Sequence, residues 1–319
     1  MSPLGRVLIL WRPRWPLLGA GVVVSLAALA SLVALSGFSG RLLAAALLGL
    51  PLTPIRIWLS ALGPARVVLR YAERMVTHGA TFRALADLRV WFFRGLAQGA
   101  AGGLGFARAG DMLARLVGDV DALDGVYLRL LVPFAGCIIL LPVLLILSVR
   151  LGAALAAVLA LLFVVCAVVL PWAGFVVAQR DGGRLSVAQS RLRVAALDAL
   201  TGLREVRAFG AEGRMLAAVQ AREAAMLGCG RVLARRVAWS QAAALFCGQL
   251  GLLAVLALSL RQHPVATVTL AFVAVAVFEA AGGLPRAGVL AGNASAAAAR
   301  VLSAARTPPP VPDPEHPAP

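Results

Sequence analysis

The sequence contains no lysine: all 30 of its basic residues are arginine. A phosphate-binding P-loop needs a Lys to reach the nucleotide phosphates, so these 319 residues hold no nucleotide-hydrolysing site of that kind. Any ATP use must come from a partner. Four cysteines without a CxxC spacing exclude a disulfide framework, and Cys137, Cys166, Cys229 and Cys247 read as packing residues. With only three histidines and 14 acids there is no Ser/His/Asp grouping and no zinc spacing, and the glycines form no dinucleotide fingerprint. The chain nominates no catalytic residue and no metal site. What it has in abundance is apolar surface: 61% of residues are hydrophobic, only 14% are charged, and the mean hydropathy is +0.89. A water-soluble domain carries about a quarter charged residues, so the composition is that of a membrane protein.

Three tracts are almost free of charge. Residues 17–65 contain only Arg41 and Arg56, residues 130–178 only Arg150, and residues 237–285 only Arg261 and Glu279. Roughly 20 helical residues cross a bilayer core of about 30 Å, so each tract is long enough to cross, turn and return. Turns fall at Pro51 and Pro54, at Arg150 with Gly152, and at Arg261-Gln262-His263-Pro264. Six spans follow, at about 17–40, 51–71, 130–149, 151–178, 237–260 and 265–285. The first apolar run, 24 residues without charge, is too long for the core of a signal peptide and is retained as span one.

The segments between the hairpins, 66–129 and 179–236, hold 20 of the 30 Arg and 11 of the 14 acids. Adding the Arg ahead of span one and after span six puts 26 Arg on one side and four on the other. Arg-rich flanks stay in the cytoplasm, so both termini and both segments are placed on the cytoplasmic side. The net charge of +16 is then topology plus attraction to anionic membrane lipid, and interleaved acids without a binding motif argue against nucleic acid as a partner. In the first segment Phe82, Leu85, Leu88, Phe92 and Leu96 recur at helical spacing, and Arg83 and Asp87 are placed for an i,i+4 pair. Leu197, Leu200, Leu203 and Val206 repeat the pattern in the second. Long helices leave the membrane, turn at glycines (Gly99 to Gly110; Gly202, Gly210 and Gly213) and come back. From Thr307 the sequence TPPPVPDPEHPAP reads as a Pro-rich linker.

Three stretches carry a family resemblance: RYAERMVTHGATFRALADLRVWFFRGL (70–96), AGDMLARLVGDVDALDGVYLRLLVP (109–133) and LTGLREVRAFGAEGR (200–214). The layout resembles the six-helix transmembrane domain of type I ABC exporters, an all-α membrane fold with long cytoplasmic helix extensions. The first two stretches are similar to the CydC-type subunit of the thiol-reductant (cysteine and glutathione) exporter family that supports cytochrome bd assembly. That family carries a nucleotide-binding domain after the Pro-rich stretch, and the sequence in hand ends there. The resemblance implies a homologous CydD-type subunit as partner in a heterodimer, nucleotide-binding domains on a separate chain, and export of cysteine or glutathione. A haem-binding or haem-transporting subunit in cytochrome assembly is the alternative. The chain departs from the family at Leu35 to Gly40, where a Trp-Phe pair is missing, and over residues 50–62.

Arg66, Arg70, Arg74 and His78 are spaced by four, which drifts about 40° per step on a helix, so one face carries three cations and an imidazole. Such a stripe is a candidate anion or substrate site where span two leaves the membrane. Snorkelling of the Arg to lipid phosphates, with Glu73 pairing to Arg70 or Thr77, is the alternative. The resemblance implies more: His78 as axial ligand of a b-type haem and Arg74 as its propionate partner. It also implies that residues 105–111, with Arg108 and Asp111, and the Arg207, Phe209 and Glu212 region are coupling loops that dock onto nucleotide-binding domains. Asp119, Asp121 and Asp124 read as solvated, salt-bridged positions rather than a metal site. Glu279, an acid inside span six, must face the bundle interior, find an Arg or be protonated, and is a candidate gating residue.

Overall fold

Lipid offers no hydrogen-bond partner to open backbone, so a chain this apolar must close its amides within helices or a sealed barrel. Helices form. The computed structural model describes residues 3–99, 120, 123–259 and 263–305, and every element among them is helical. In chain order they are α1 (Pro3–Leu10), α2 (Trp15–Leu47), α3 (Thr53–Gly99), α4 (Val132–Val149), α5 (Ala153–Val164), α6 (Leu170–Thr201), α7 (Leu203–Ala208), α8 (Glu212–Ser259), α9 (Pro264–Ala281) and α10 (Leu284–Ala305). Arg108, Asp111, Asp119, Asp121, the expected first inner turn and the Pro-rich tail lie outside the described residues.

Among the described residues five helical stretches are long and apolar enough to cross a membrane: Arg12–Leu47, Tyr127–Val149, Ala153–Gln179, Glu212–Ser259 and Pro264–Ser303. This is a multi-pass membrane protein. The expected second span, 51–71, forms the first half of α3 and is not among the five; Arg56, Arg66 and Arg70 punctuate it. It runs antiparallel to α2. Phe38 stacks on Trp58 with ring centroids 6.0 Å apart, Ser25 meets Glu73, and Arg14 meets Asp87. With 47 and 48 residues, α3 and α8 are each about 70 Å long, more than twice a bilayer core of about 30 Å, so both continue well past it.

Helix ends follow local chemistry. α2 runs beyond the expected boundary at 40, through Arg41, and stops at Leu47, where Gly49 takes φ +66°. The Leu50 amide then donates to the Ala45 carbonyl and the Gly49 amide to Ala46, the paired bonds of a Schellman cap. Gly210 at φ +56° closes α7 in the same way, with Ala211 donating to Val206 and Gly210 to Arg207. The stretch expected as the sixth span, 265–285, contains a helix break: α9 ends at Ala281 and Gly282-Gly283 separate it from α10. Two π-helical turns, Tyr127–Leu131 and Val165–Val169, lead into α4 and α6. Each lies just ahead of a proline, Pro133 or Pro171. Proline has no amide to give and its ring crowds the carbonyl four residues back, so the ladder widens: Val132 donates to Tyr127 and Leu170 to Val165.

Two apolar clusters form the core. One joins α4, α5, α8 and α9 through Leu144, Leu159, Phe163, Val255 and Phe278, and it takes in the buried, free Cys137, Cys166 and Cys247. The other joins α1, α3 and α10 through Val7, Trp11, Leu88, Phe92 and Val301. α6 and α10 run parallel in close contact because both present glycine: a Cβ on Gly292 would lie 2.7 Å from the Phe175 carbonyl oxygen, and one on Gly288 would run into the Pro171 carbonyl. Nearby, Asp181 of α6 and Arg236 of α8 stand 3.0 Å apart, a charge contact without hydrogen-bond alignment.

Two expectations for the first helix extension need correction. Phe82 is exposed, and Thr81 instead completes the buried stripe with Leu85, Leu88 and Phe92, because 81, 85, 88 and 92 hold one face while 82 sits about 100° away. Asp87 pairs with Arg14, at 2.6 Å, not with Arg83; the 3-10 turn Arg12–Arg14 delivers that guanidinium beside α3. The Leu197, Leu200 and Leu203 side chains are likewise exposed on the extension of α6 and on α7.

Gly292→Val drives a branched side chain into the α6 backbone; overpacking of this kind costs about 1–3 kcal/mol, and thermal unfolding in detergent should show a lowered Tm. Gly79→Ala, with nothing within 4 Å of the new methyl, should leave Tm unchanged or slightly raised. The Arg14 hydrogen bond holds the Asp87 carboxyl below its ordinary range. A group whose folded pKa is depressed stabilises above its unfolded value and loses that contribution as pH falls. The Tm advantage of the wild type over Asp87→Asn should therefore be full above about pH 4 and vanish below it.

Candidate functional site

α3 presents the four-residue stripe as a wall. Arg66, Arg70, Arg74 and His78 line one cleft of about 790 Å³, together with Val67 and Tyr71, and Leu35 of α2 and Leu128 close it from the side. Arg70 and Arg74 are exposed, while Arg66 and His78 are half-buried. The His78 ring lies 6.0 Å from Phe82, tilted by 45°. The stripe foreseen from spacing is thus one continuous surface.

Glu73 organises the base of that wall. Its side chain is 14% exposed, accepts a hydrogen bond from the Arg70 guanidinium at 2.7 Å and another from the Ser25 hydroxyl of α2 at 3.2 Å. Thr77, expected as an alternative partner of the Glu73 carboxylate, donates to the Glu73 backbone carbonyl at 2.7 Å. Thr77 packs against Gly21 of α2, and the Tyr127 hydroxyl donates to the Leu18 carbonyl at 2.6 Å. These contacts fix the rotation of α3 about its own axis, which decides where the arginines point.

Arg66 and Arg70 border more than this cleft. A second cavity, about 400 Å³, lies between α2, α3, α4 and α9, and its lining includes Ser25, Arg66, Arg70, Glu73 and Glu279. Glu279 comes from the last turn of α9 and also lines a third cavity of about 560 Å³ beside Gln241, Gln249 and Phe278. Among the described residues neither Arg66 nor Glu279 forms an ion pair or hydrogen bond through its side chain, whereas Arg70 and Glu73 pair with each other. Arg286, the neighbour weighed for Glu279 from sequence, is exposed beyond the Gly282-Gly283 break.

At the far end of α6, α7 lies between Gly202 and Gly210 and forms the tip of the α6–α8 hairpin. Phe209 is 80% exposed there, with Arg207 and Glu212 exposed on either side. The Phe209 amide is satisfied by the Glu205 carbonyl, so the backbone is closed while the ring stands in solvent. His263 sits at the start of α9 and accepts a hydrogen bond from Thr267 through its carbonyl, away from these cavities. No cluster of three or more metal-ligating side chains occurs among the described residues.

Sequence reading missed two parts of this site. Ser25 is one small polar residue on an apolar helix, and only its position opposite Glu73 gives it a role. Glu279 was singled out as an acid in a span, but its shared cavity with Arg66 and Arg70 depends on packing between helices more than 200 residues apart in the chain.

Comparison with known proteins agrees with this architecture. The ABC transporter transmembrane region family matches residues 18–280. The glutathione/L-cysteine transport system ATP-binding/permease protein CydC of Escherichia coli strain K12 is 30% identical over 303 residues, covering 91% of this chain and 53% of that protein. Its counterpart in Haemophilus influenzae is 33% identical over 211 residues, 63% of this chain and 36% of that protein. The CydD protein of the same transport system in Bacillus subtilis strain 168 is 29% identical over 157 residues, 49% of this chain and 27% of that protein. The chain spans about half the length of the Escherichia coli relative and less of the others. With its helical extensions, its exposed hairpin tip and a family match along most of its length, the chain belongs to the ABC transporter transmembrane region family.

Proposed function

We propose that this chain is the membrane subunit of an ATP-driven exporter of cysteine or glutathione that supports cytochrome bd assembly. The first half of α3 acts as the second of six spans, both termini lie in the cytoplasm of a bacterial inner membrane, and the partner is a CydD-type subunit. Nucleotide-binding domains drive the cycle by docking at the α7 tip and at the loop containing Arg108 and Asp111. ATP hydrolysis belongs to those domains. The observation that carries the reading is the coincidence of two things: likeness to glutathione/L-cysteine transport proteins over 91% of the chain, and interior cavities walled by Arg66 and Arg70. Guanidinium groups suit the carboxylates of such a substrate.

Export through such a bundle needs the cavity to open alternately to the two sides, and the force must arrive through the rods that leave the membrane. An exposed aromatic flanked by charges is the kind of residue that anchors an interface. In the assembled complex, Phe209→Ala should lower thiol-stimulated ATPase activity several-fold while the unstimulated rate of the nucleotide-binding domains persists. Full retention of stimulated activity would remove Phe209 from the coupling contact.

A second reading has its own support. His78 and Arg74 stand one turn apart on the larger cleft, beside apolar Val67 and Tyr71. This donor set fits a b-type haem, since an imidazole would ligate the iron and a guanidinium would suit a propionate. Bound there, haem would supply a redox-active iron. The residues' own part is to ligate and orient: His78 through its imidazole, held near the Phe82 ring, and Arg74 through its charge. Purified complex reconstituted with haem should show a Soret band that His78→Ala abolishes and Arg74→Gln weakens; an unchanged band in His78→Ala would exclude the ligand role.

A further inference from the structure

The smaller interior cavity differs from the larger cleft in its charge. On the cleft, Arg66, Arg70, Arg74 and Glu73 leave an excess of two positive charges, His78 not counted. On the cavity, Arg66 and Arg70 are balanced by Glu73 and Glu279, and the lining is neutral overall. Arg70 and Glu73 satisfy each other at 2.7 Å. What remains is one guanidinium, Arg66, and one carboxylate, Glu279, contributed by different helices to the same space of about 400 Å³ without a partner among the described residues. The rest of the lining is largely apolar: Ala28, Leu29, Leu32, Val132 and Leu140.

Arg66 is half-buried and Glu279 exposed, so solvent reaches both; a ligand that fills the space displaces that solvent and must answer both charges in its place. A purely anionic ligand would satisfy Arg66 and be repelled by Glu279; a cation would do the reverse. A ligand carrying carboxylate and ammonium on one small frame answers each. We propose that the Arg66/Glu279 cavity is a recognition site for the zwitterionic head of an α-amino acid or small peptide, with Arg66 taking the α-carboxylate and Glu279 the α-ammonium. Glu279 is then the specificity-determining residue that admits a free amino group and rejects an acylated one. This rests on the exporter reading above and sharpens it, since it separates amino-acid-like cargo from a simple dianion.

Discrimination by such a group is large, because the wrong ligand leaves a desolvated charge unanswered. The test is equilibrium binding to the assembled transporter, purified with its nucleotide-binding partner, using L-cysteine, N-acetyl-L-cysteine and L-cysteine methyl ester as probes. Wild type should bind L-cysteine at least about tenfold more tightly than either derivative. Glu279→Gln, nearly isosteric, should weaken L-cysteine by about tenfold or more and leave N-acetyl-L-cysteine unchanged, so the preference collapses. Arg66→Gln should give the mirror pattern, losing L-cysteine while keeping the methyl ester. Retained binding of the derivative in each variant shows that the fold is intact. If Glu279→Gln binds L-cysteine as wild type does, or if wild type takes N-acetyl-L-cysteine equally well, the zwitterion site is overturned and the exporter reading stands. A wild-type complex that binds none of the three overturns both.

Discussion

Charge is expensive in hydrocarbon, and the fold is arranged around that expense. A chain with 30 arginines cannot cross a bilayer repeatedly at random; its apolar tracts must carry almost none of them, and any that enter must face protein or water rather than lipid. Most of the arginine therefore sits on the helix extensions. Arg66, Arg70, Glu73 and Glu279, from two different helices, come together around one cavity. A structural constraint on where ions can sit thus gathers polar groups around a shared cavity.

Precision in that arrangement comes from neutral contacts. Small residues let α6 and α10 approach until backbone meets backbone at Gly288 and Gly292. On the other side of the bundle, the Ser25 to Glu73 hydrogen bond and the seat of Thr77 on Gly21 hold α3 against α2. Rotating α3 by one residue, about 100°, would carry Arg66 and Arg70 out of the cavity wall. The π turns ahead of Pro133 and Pro171 act on the same scale, re-aiming α4 and α6 where they enter the bundle.

The extensions serve a different purpose. α6 and α8 leave the apolar zone side by side, joined near its edge by Asp181 and Arg236, and end in the short α7 with Phe209 in solvent. α1 and α10 brace α3 through a cluster built on Trp11, Leu88 and Phe92, and Arg14 adds its ion pair to Asp87. Rods stiffened along their length can carry a push from tip to cavity, which an isolated loop cannot.

Much of this was written in the sequence. Nearly charge-free tracts of 49 residues set the hairpins, proline and glycine set most of the turns, and a spacing of four put three arginines and His78 on one face of α3. Those features are local, decided by hydrogen bonding, hydropathy and helical geometry within a few turns. Packing alone decided the rest. No period in the sequence tells that Asp87 takes Arg14 instead of Arg83, that Thr81 rather than Phe82 is buried, or that Glu279 shares a cavity with Arg66. Each depends on how one helix is rotated against another, and that rotation is fixed by contacts between residues far apart in the chain.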